Sequence, residues 1–533
     1  MVFTFLSPAL AQADEISRAD KLRTLYSAEF RFTAEGLPIV PVAVVQNAAA
    51  VTVSATRGLK LMPDGEAGSV VEAAESFRVV AKETRAARMR FWPAAFRGKP
   101  GKGAELARQS EAWKRKGVEA KIFEQGTLFG VAGEVLDRRE MILGVSPQET
   151  WDAAQRSLAR LQQADASAPF AGIYTELLER PQGQIHAEGS SSRTRVKNQG
   201  MLWFAAADGK AIDIEGQRLD GTTFSGSYHG QICLTVGRNG ALVVVNTVPE
   251  NQLLAGLVPA EIFPGAPDEA LKAQAVAARG ELLAKIGLRH AGEPFRLCAE
   301  THCQVYAGAA RETPRTTAAV EATRGEVLFV ADHNDLVDTV YSANCGGHGE
   351  HNDHAWLDMP VEVSLRGHID GPPAASFAAG INATNIERFL SAPPPTFCGQ
   401  AKLQGAGDRF RWTVTRTAAE LATLLAPYKL GRIQAIDVKR RGVSGRATEI
   451  TIVGSARSET LRGELTIRRA FGNLRSSLFV AEVVDGAVRF RGGGFGHGVG
   501  LCQTGSIGMA EARKSYRDIL SHYYQRSVLR KLW

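Results

Sequence analysis

Hydrophobic and polar positions alternate through much of the first 80 residues. Val42-Ala-Val-Val-Gln-Asn and Ala50-Val-Thr-Val-Ser-Ala are β-branched or alternating and are followed by Gly-containing turns, so residues 16–80 read as strand-rich. Residues 85–117 break the pattern. Arg and Lys alternate there with Phe91, Trp92 and Phe96 among Gly and Pro, which predicts a basic surface connection. Short strands after Val118 precede an apolar-periodic helix through Leu161. Ser146 with Glu149 forms a capping box, and Pro147 suits the first helical position. The polar stretch 182–198 reads as an exposed loop.

The pattern sharpens after Gly221. Ile232-Cys-Leu-Thr-Val and Ala241-Leu-Val-Val-Val flank Gly237-Arg-Asn-Gly240, a hairpin with an Asn-Gly turn. A short helix is predicted over 249–256, with Pro at its start and Gly at its end. A longer one follows over 267–286, with Leu271, Ala275, Ala278, Leu282 and Ile286 on one face and Gly287 as the stop. Residues 362–482 mix alternating strands, such as Phe410-Arg-Trp-Thr-Val-Thr and Glu449-Ile-Thr-Ile-Val, with a helix near 418–425. Ser515 and Asp518 cap the last helix.

Composition narrows the class. Of 533 residues, 44% are hydrophobic and 22% charged, which excludes a disordered, collagen-like or disulfide-dense chain. No run of about 18 apolar residues is present, so no membrane-spanning helix is expected. The net charge of +7 suits an acidic or polyanionic neighbourhood. No recognition helix, zinc finger or aromatic RNA-binding signature accompanies it, so nucleic acid is not an expected partner. Residues 1–15 carry a short apolar run and Ala-Leu-Ala and Ala-Gln-Ala, the tail of a secretory signal, so the protein reads as exported to a periplasmic or extracellular envelope. Length and pattern together predict an α+β, multidomain chain: 1–15 a truncated signal segment, 16–117 β-rich, 118–220 a small α+β module and loop, and 221–533 a mixed region with 362–482 inserted.

Four segments could carry chemistry. Glu261 sits between Pro259 and Pro264, which stiffen the segment and keep the preceding helix from running through it. Beside Ile262 and Phe263 its carboxyl would be partly desolvated, and desolvation raises a carboxyl pKa toward what a general acid needs. A solvated turn glutamate is the alternative. His290, Cys298, His302 and Cys303 fall within 14 residues. Two Cys and two His with no open position describe structural zinc; the alternative is a Cys298–Cys303 disulfide. Cys345-Gly-Gly-His348 with His351 and His354 could be argued as a second metal site, a Cys–His nucleophile, or a turn with solvated histidines. His497 lies among glycines 492–500, either orienting a substrate or buried as a structural group.

Taken in order, these pieces resemble the stage II sporulation protein D (SpoIID)/LytB family. The carrying motifs are Val258-Pro-Ala-Glu-Ile, Glu269-Ala-Leu-Lys-Ala-Gln-Ala-Val-Ala-Ala-Arg279, Thr301-His-Cys-Gln-Val-Tyr, Tyr341-Ser-Ala-Asn-Cys-Gly-Gly, and Gly494-Phe-Gly-His-Gly-Val-Gly-Leu-Cys-Gln, with Ile519-Leu-Ser-His-Tyr-Tyr closing the series. They cover about 225–530, and the 118–163 unit is similar to small SPOR-like wall-binding modules. The resemblance implies a lytic transglycosylase that cleaves MurNAc–GlcNAc bonds of peptide-poor peptidoglycan strands to 1,6-anhydro ends. In it Glu261 is the catalytic acid and base. Gln274, Arg279, Gln304, Ser342, Gly346, Gly347, His497 and Gln503 would line the glycan groove, and zinc would sit on His290, Cys298, His302 and Cys303. The alternative within the same family is a noncatalytic wall-binding enhancer of an N-acetylmuramoyl-L-alanine amidase. Cys345 and Cys502 stand where many relatives have Ser. Cys345 could pair with Cys398 or Cys502, and the sequence leaves that open. Ile-Phe-Pro-Gly after Glu261 also departs from the commoner Met-Pro.

Overall fold

The computed structural model describes residues 25–26, 31–63, 69–131, 133–164, 172–290, 292–300, 302–357 and 359–533. The signal-like segment 1–15 and Thr301 of the Thr-His-Cys-Gln motif lie outside them. The chain is α+β, with a β-rich N-terminal part, and forms two compact units, each built from several stretches of chain.

The first unit takes its residues from Met1–Arg90, Thr175–Pro249 and Arg289–Ala310. Its centre is a 13-stranded sheet. The spine is β1 (Pro38–Ser54), flanked by β2 (Phe77–Arg85) and β6 (Leu242–Pro249). Beyond β2 lies β3 (Gln182–Gly189); beyond β6 lie β5 (Gln231–Val236) and β4 (Met201–Ala206). The two strand-like runs near 42 and 50 are one strand. Asn47 takes a positive φ of 59°, and the register against β6 shifts there, so a bulge absorbs the polar Gln46-Asn47 pair. The hairpin joining β5 to β6 turns at 237–241, with the Gly240 N–H donating to Gly237 O at 2.9 Å.

The stretch 182–198 departs from expectation. It is a hairpin, not a loop: β3 pairs with Arg195–Gln199. Ile185 and Ala187 face inward and are fully buried, so the period-2 pattern was present beneath the polar composition. Its turn is held by Glu75, whose carboxylate accepts from the Ser192 hydroxyl and from the main chain of Ser191 and Ser192; these bonds, the hydroxyl's first, pull its pKa to about 2.

The second unit takes its residues from Phe91–Tyr174, Glu250–Leu288 and Arg311–Trp533. The expected basic connection is instead structured. Arg88–Gly98 is a strand, and Gly103–Arg115 is a helix, α1. Trp92, Ala94 and Leu106 are buried while the cations stay outside, an amphipathic pattern that the Gly and Pro content masked. The next helix, α2 (Trp151–Ala164), starts later than the Ser146 capping box predicts. Phe91 and Gln148 exchange two main-chain bonds of 2.8 Å, which hold 146–148 extended, and Thr150 caps the helix instead.

Two further helices organise the rest of this unit. In α3 (Glu250–Glu261), Pro259 sits inside the helix, which therefore does not end at Gly256. A proline two residues from a C-terminus forfeits one main-chain bond, to residue 255, and the turn survives that loss. In α4 (Asp268–Lys285) nearly every residue from Ala270 onward is buried, alanines included. A Cβ on Gly280 would lie 2.4 Å from Thr339 Oγ1, so glycine is what lets Thr339 approach and donate to Ala277 O at 2.6 Å. Around α4 pack Leu328, Val337, Leu501, Ile519 and Tyr524. The region 411–493 has its own core of Trp412, Ile450, Ile452, Phe471, Phe479 and Phe490 between two three-stranded sheets. The Ser515–Asp518 capping box opens the last helix, Tyr516–Tyr523.

Candidate active site

Glu261 is the last residue of α3, half-buried, at the rim of a cleft of about 590 Å³. Its lining includes Ile262, Phe263 and Pro264 from the segment after α3, Lys402, Leu403, Gln404 and Arg409 from a second segment, and Glu511. Phe263 is 55% exposed, an aromatic face open to a ligand. Glu511 is engaged locally: its carboxylate accepts the Lys402 main-chain N–H at 3.1 Å.

Three motifs meet behind Glu261. The helix Gln503–Glu511, α5, begins at Gln503, whose Nε2 donates to Glu261 O at 2.9 Å and to Gln274 Oε1 at 3.2 Å. Gln274 projects from α4. The short strands β7 (Tyr341–Ser342) and β8 (Leu501–Cys502) pair in parallel, which brings Tyr341 into the same neighbourhood. Burial, then the negative charge of Glu261, hold the Tyr341 phenol well above its ordinary pKa, so it stays a neutral donor. Gln274 Nε2 and Ser342 Oγ are buried without a hydrogen-bond partner among the described residues. Such atoms are uncommon in a native interior and suit a site that meets a polar ligand.

Not every sequence-named residue reaches this place. Arg279 is wholly buried. Its Nε donates to Glu250 Oε1 at 2.6 Å, and its other nitrogens donate to Thr323 O, Glu326 O and Val320 O. It braces α4 from within and does not line the cleft; the motif position alone could not separate these roles. Gly346 lets two backbones approach: a Cβ there would meet Gly494 N at 2.9 Å. Gly347 is likewise enclosed, next to Phe389 and Thr396. The imidazole of His497 packs tilted against Trp356, 4.9 Å between ring centres, and accepts the Val499 N–H at 3.1 Å on Nδ1, so it orders its own loop. His348, His351 and His354 are not solvated turn residues, nor do they converge on Cys345. His351 accepts the Gly367 N–H at 2.8 Å, and His354 sits 3.2 Å from the buried Glu350. Gln304 is buried in the first unit, beside the zinc-ligand candidates in sequence.

Burial and neighbouring cations set these imidazoles. Burial, then Arg446, Lys285 and Arg468, push His497 down to about 3; burial, then Arg366, push His351 down to about 4. Both are neutral in the fold at pH 7. Between their unfolded pKa near 6.5 and these values only the unfolded chain takes up the protons. Stability is therefore complete above about pH 6.5 and falls as pH drops toward 4. Urea midpoints at pH 7, 6 and 5 should decline in that order, and His497→Gln should flatten the slope. Equal midpoints at pH 7 and 5 would contradict the assignment.

In the first unit, His290, Cys298, His302 and Cys303 converge, with all four ligand atoms within 4.8 Å of one another. His290 Nε2 is 3.1 Å from Cys303 Sγ, and His302 Nδ1 is 3.6 Å from Cys303 Sγ and 3.8 Å from Cys298 Sγ. Tetrahedral zinc with N and S ligands has edges of roughly 3.3–3.8 Å, so this set fits one ion. The Cys298–Cys303 disulfide is not formed; all six cysteines are free thiols. A positive φ at His290 (54°) and at Gly292 (79°) turns the chain back so that His290 can join. The Cys303 thiol falls below its ordinary pKa through Cys298 and the two imidazoles.

Known proteins carry the same arrangement of sequence. Residues 238–329, which hold Glu261, Gln274 and the four zinc-ligand candidates, match the family model SpoIID, "Stage II sporulation protein". Residues 357–500 match a domain of unknown function, DUF8618. An uncharacterized protein of Brachyspira hyodysenteriae is 31% identical over 382 residues, 70% of this chain and 92% of that protein. Stage II sporulation protein D of Bacillus amyloliquefaciens is 26% identical over 296 residues, 53% of this chain and 74% of its own. The chain belongs to the SpoIID family. The amidase enhancer of Bacillus subtilis is also similar, 26% identical over 296 residues, though these make up 52% of this SpoIID chain and 40% of the enhancer. No helix among the described residues of this SpoIID protein is long and apolar enough to cross a membrane. Sequence reasoning about it passed over two groups: the Tyr341 hydroxyl, quoted within a motif but assigned no role, and the cleft cations Lys402 and Arg409, which lie in no motif.

Proposed function

We propose that this protein is an exported peptidoglycan lytic transglycosylase and that Glu261 performs both proton transfers. The observation that carries the reading is one half-buried carboxyl at the rim of a cleft that also offers Phe263, Lys402 and Arg409. An aromatic face suits a sugar ring, and the two cations suit the carboxylates of an anionic wall glycan. Glu261 protonates the glycosidic oxygen as the C–O bond breaks. The resulting carboxylate then takes the proton of the sugar's own 6-hydroxyl, which closes the 1,6-anhydro ring. The nucleophile belongs to the substrate, so a second catalytic carboxylate is unnecessary. Tyr341 keeps a neutral donor beside the carboxylate once its proton has gone, and Gln503 holds the main chain of Glu261 in place.

Mass spectrometry of products from peptide-free glycan strands tests this. Anhydro-ended fragments, lighter by one water than hydrolysis products, are expected. Intact strands or hydrated ends would refute it. The relative named as an amidase enhancer favours a second reading, a noncatalytic wall protein that stimulates an amidase. Stimulation of a wall amidase without any glycan product would establish that instead.

The reading includes a structural zinc at His290, Cys298, His302 and Cys303, whose fit rests on the four converging donors. With four protein ligands the ion would have no open position and would serve the fold of the first unit. Cys298→Ser should lose one equivalent of zinc and lower thermal stability. Unchanged zinc in that variant, by elemental analysis, would remove the assignment.

A further inference from the structure

A second group of potential ligands lies in the second unit, separate from the cleft. Cys345, Asp370, Cys398 and Cys502 place their ligand atoms within 4.8 Å of one another, and each residue is at most 2% exposed. Four segments far apart in sequence supply them: the Cys345-Gly-Gly turn, the bend at Asp370, the short helix Phe397–Gln400, and the residue that caps α5. Cys345 Sγ and Cys398 Sγ are 3.6 Å apart. That is close to the edge of a tetrahedron around a Zn–S bond of about 2.3 Å, roughly 3.8 Å, and well beyond the ~2.05 Å of a disulfide. We propose that these four residues bind one zinc ion as a closed Cys₃Asp site.

Three observations support this over a passive cluster. Three thiols cannot all be paired by one disulfide, and they lie in a core that includes Val499, Met509 and Leu520, with His522 and the Tyr523 hydroxyl as the polar neighbours of Asp370. A carboxylate placed among thiols in such a core is costly unless a cation shares the space. Backbone donors are aimed at sulfur: the Cys345 N–H at 3.1 Å and the Gly505 N–H at 3.3 Å both point to Cys502 Sγ, the outer contacts that orient a thiolate ligand. Asp370 is oriented in the same way. Its Oδ2 accepts the Cys398 N–H at 2.9 Å, and its Oδ1 accepts the Tyr523 hydroxyl at 2.7 Å with His522 Nε2 at 3.5 Å, which leaves Oδ2 a lone pair for an ion. Soft thiolates in a four-coordinate set select zinc over the hard divalent cations. On binding, the three S–H protons pass to solvent as three Zn–S bonds form.

The ion ties together the Cys345 turn, the Phe397–Gln400 helix and the start of α5, which carries Gln503 to the main chain of Glu261. The proposal does not depend on the cleavage chemistry. Elemental analysis of the purified full chain is expected to give two zinc ions per chain. Cys298→Ser/Cys303→Ser should retain one. Cys398→Ala, with folding checked by circular dichroism, should lose one relative to wild type. A zinc count unchanged in folded Cys398→Ala overturns the site. If that variant fails to fold, the wild-type chain still decides: peptide mapping after denaturation without reductant should find Cys345, Cys398 and Cys502 all free, and the Cys298→Ser/Cys303→Ser chain loaded with Co²⁺ should show thiolate-to-cobalt absorption. A disulfide among the three, or no such absorption, overturns it.

Discussion

Glu261→Gln is expected to cut anhydro-sugar release from peptide-free strands by about 10²–10⁴-fold, the usual contribution of one positioned acid–base group. The replacement keeps size and polarity and removes only the transferable proton. Glu261 is half-buried at a helix end, and the Gln503 bond goes to its main chain, so the substitution leaves that anchor intact. Urea unfolding of the variant should therefore match wild type within about 0.5 kcal/mol. Loss of product with unchanged unfolding places the chemistry on this carboxyl. Undiminished product would move the chemistry elsewhere, and undiminished amidase stimulation by the variant would favour the noncatalytic reading.

Arg279→Ala should have the opposite signature, a large loss of stability. Arg279 and Glu250 are both 0% exposed and 2.6 Å apart, and Glu250 Oε2 has no other partner among the described residues. Removing the guanidinium strands a buried carboxylate and three carbonyls, at a cost of about 3–5 kcal/mol. Arg279→Lys should recover only part of it, because one ammonium cannot span carbonyls on α4's neighbours as the planar fork does. The measurements are urea unfolding and soluble yield. Whatever folds should bind glycan with unchanged affinity, since Arg279 does not line the cleft. A stable variant with weakened glycan binding would restore the groove-lining role that its motif position suggested.

Legibility in the sequence followed the physics of each signal. The helix over α4 and the 237–241 hairpin were plain, because period and turn chemistry agreed with burial. Glu261 and the four zinc-ligand candidates are near one another in sequence or sit in compact motifs, so their grouping could be read. Composition misled at 182–198 and 85–117, where polar and basic residues occupy the outer faces of regular elements whose inner faces hold Ile185, Trp92 and Leu106. Pairing partners decided the start of α2, since the Phe91–Gln148 bridge outcompeted a good local cap. Of the Cys345–Asp370–Cys398–Cys502 cluster the sequence offered only the three cysteines, as alternative disulfide partners. Its members span 157 positions, and nothing local marks Asp370 as their companion.

The interleaved course of the chain also bears on how the first unit is made. Its spine β1 takes β6, from residues 242–249, along one edge, and a parallel partner, Leu297–Cys298, arrives only with the third stretch. During synthesis β1 can pair early with β2, but it must wait about 190 residues for β6 and about 250 for Leu297–Cys298. Such distant pairing slows folding and leaves β edges open meanwhile. A nascent chain stalled before residue 298 would expose that edge to a chaperone or to a second ribosome's product, making assembly of this unit the vulnerable moment in the protein's biogenesis.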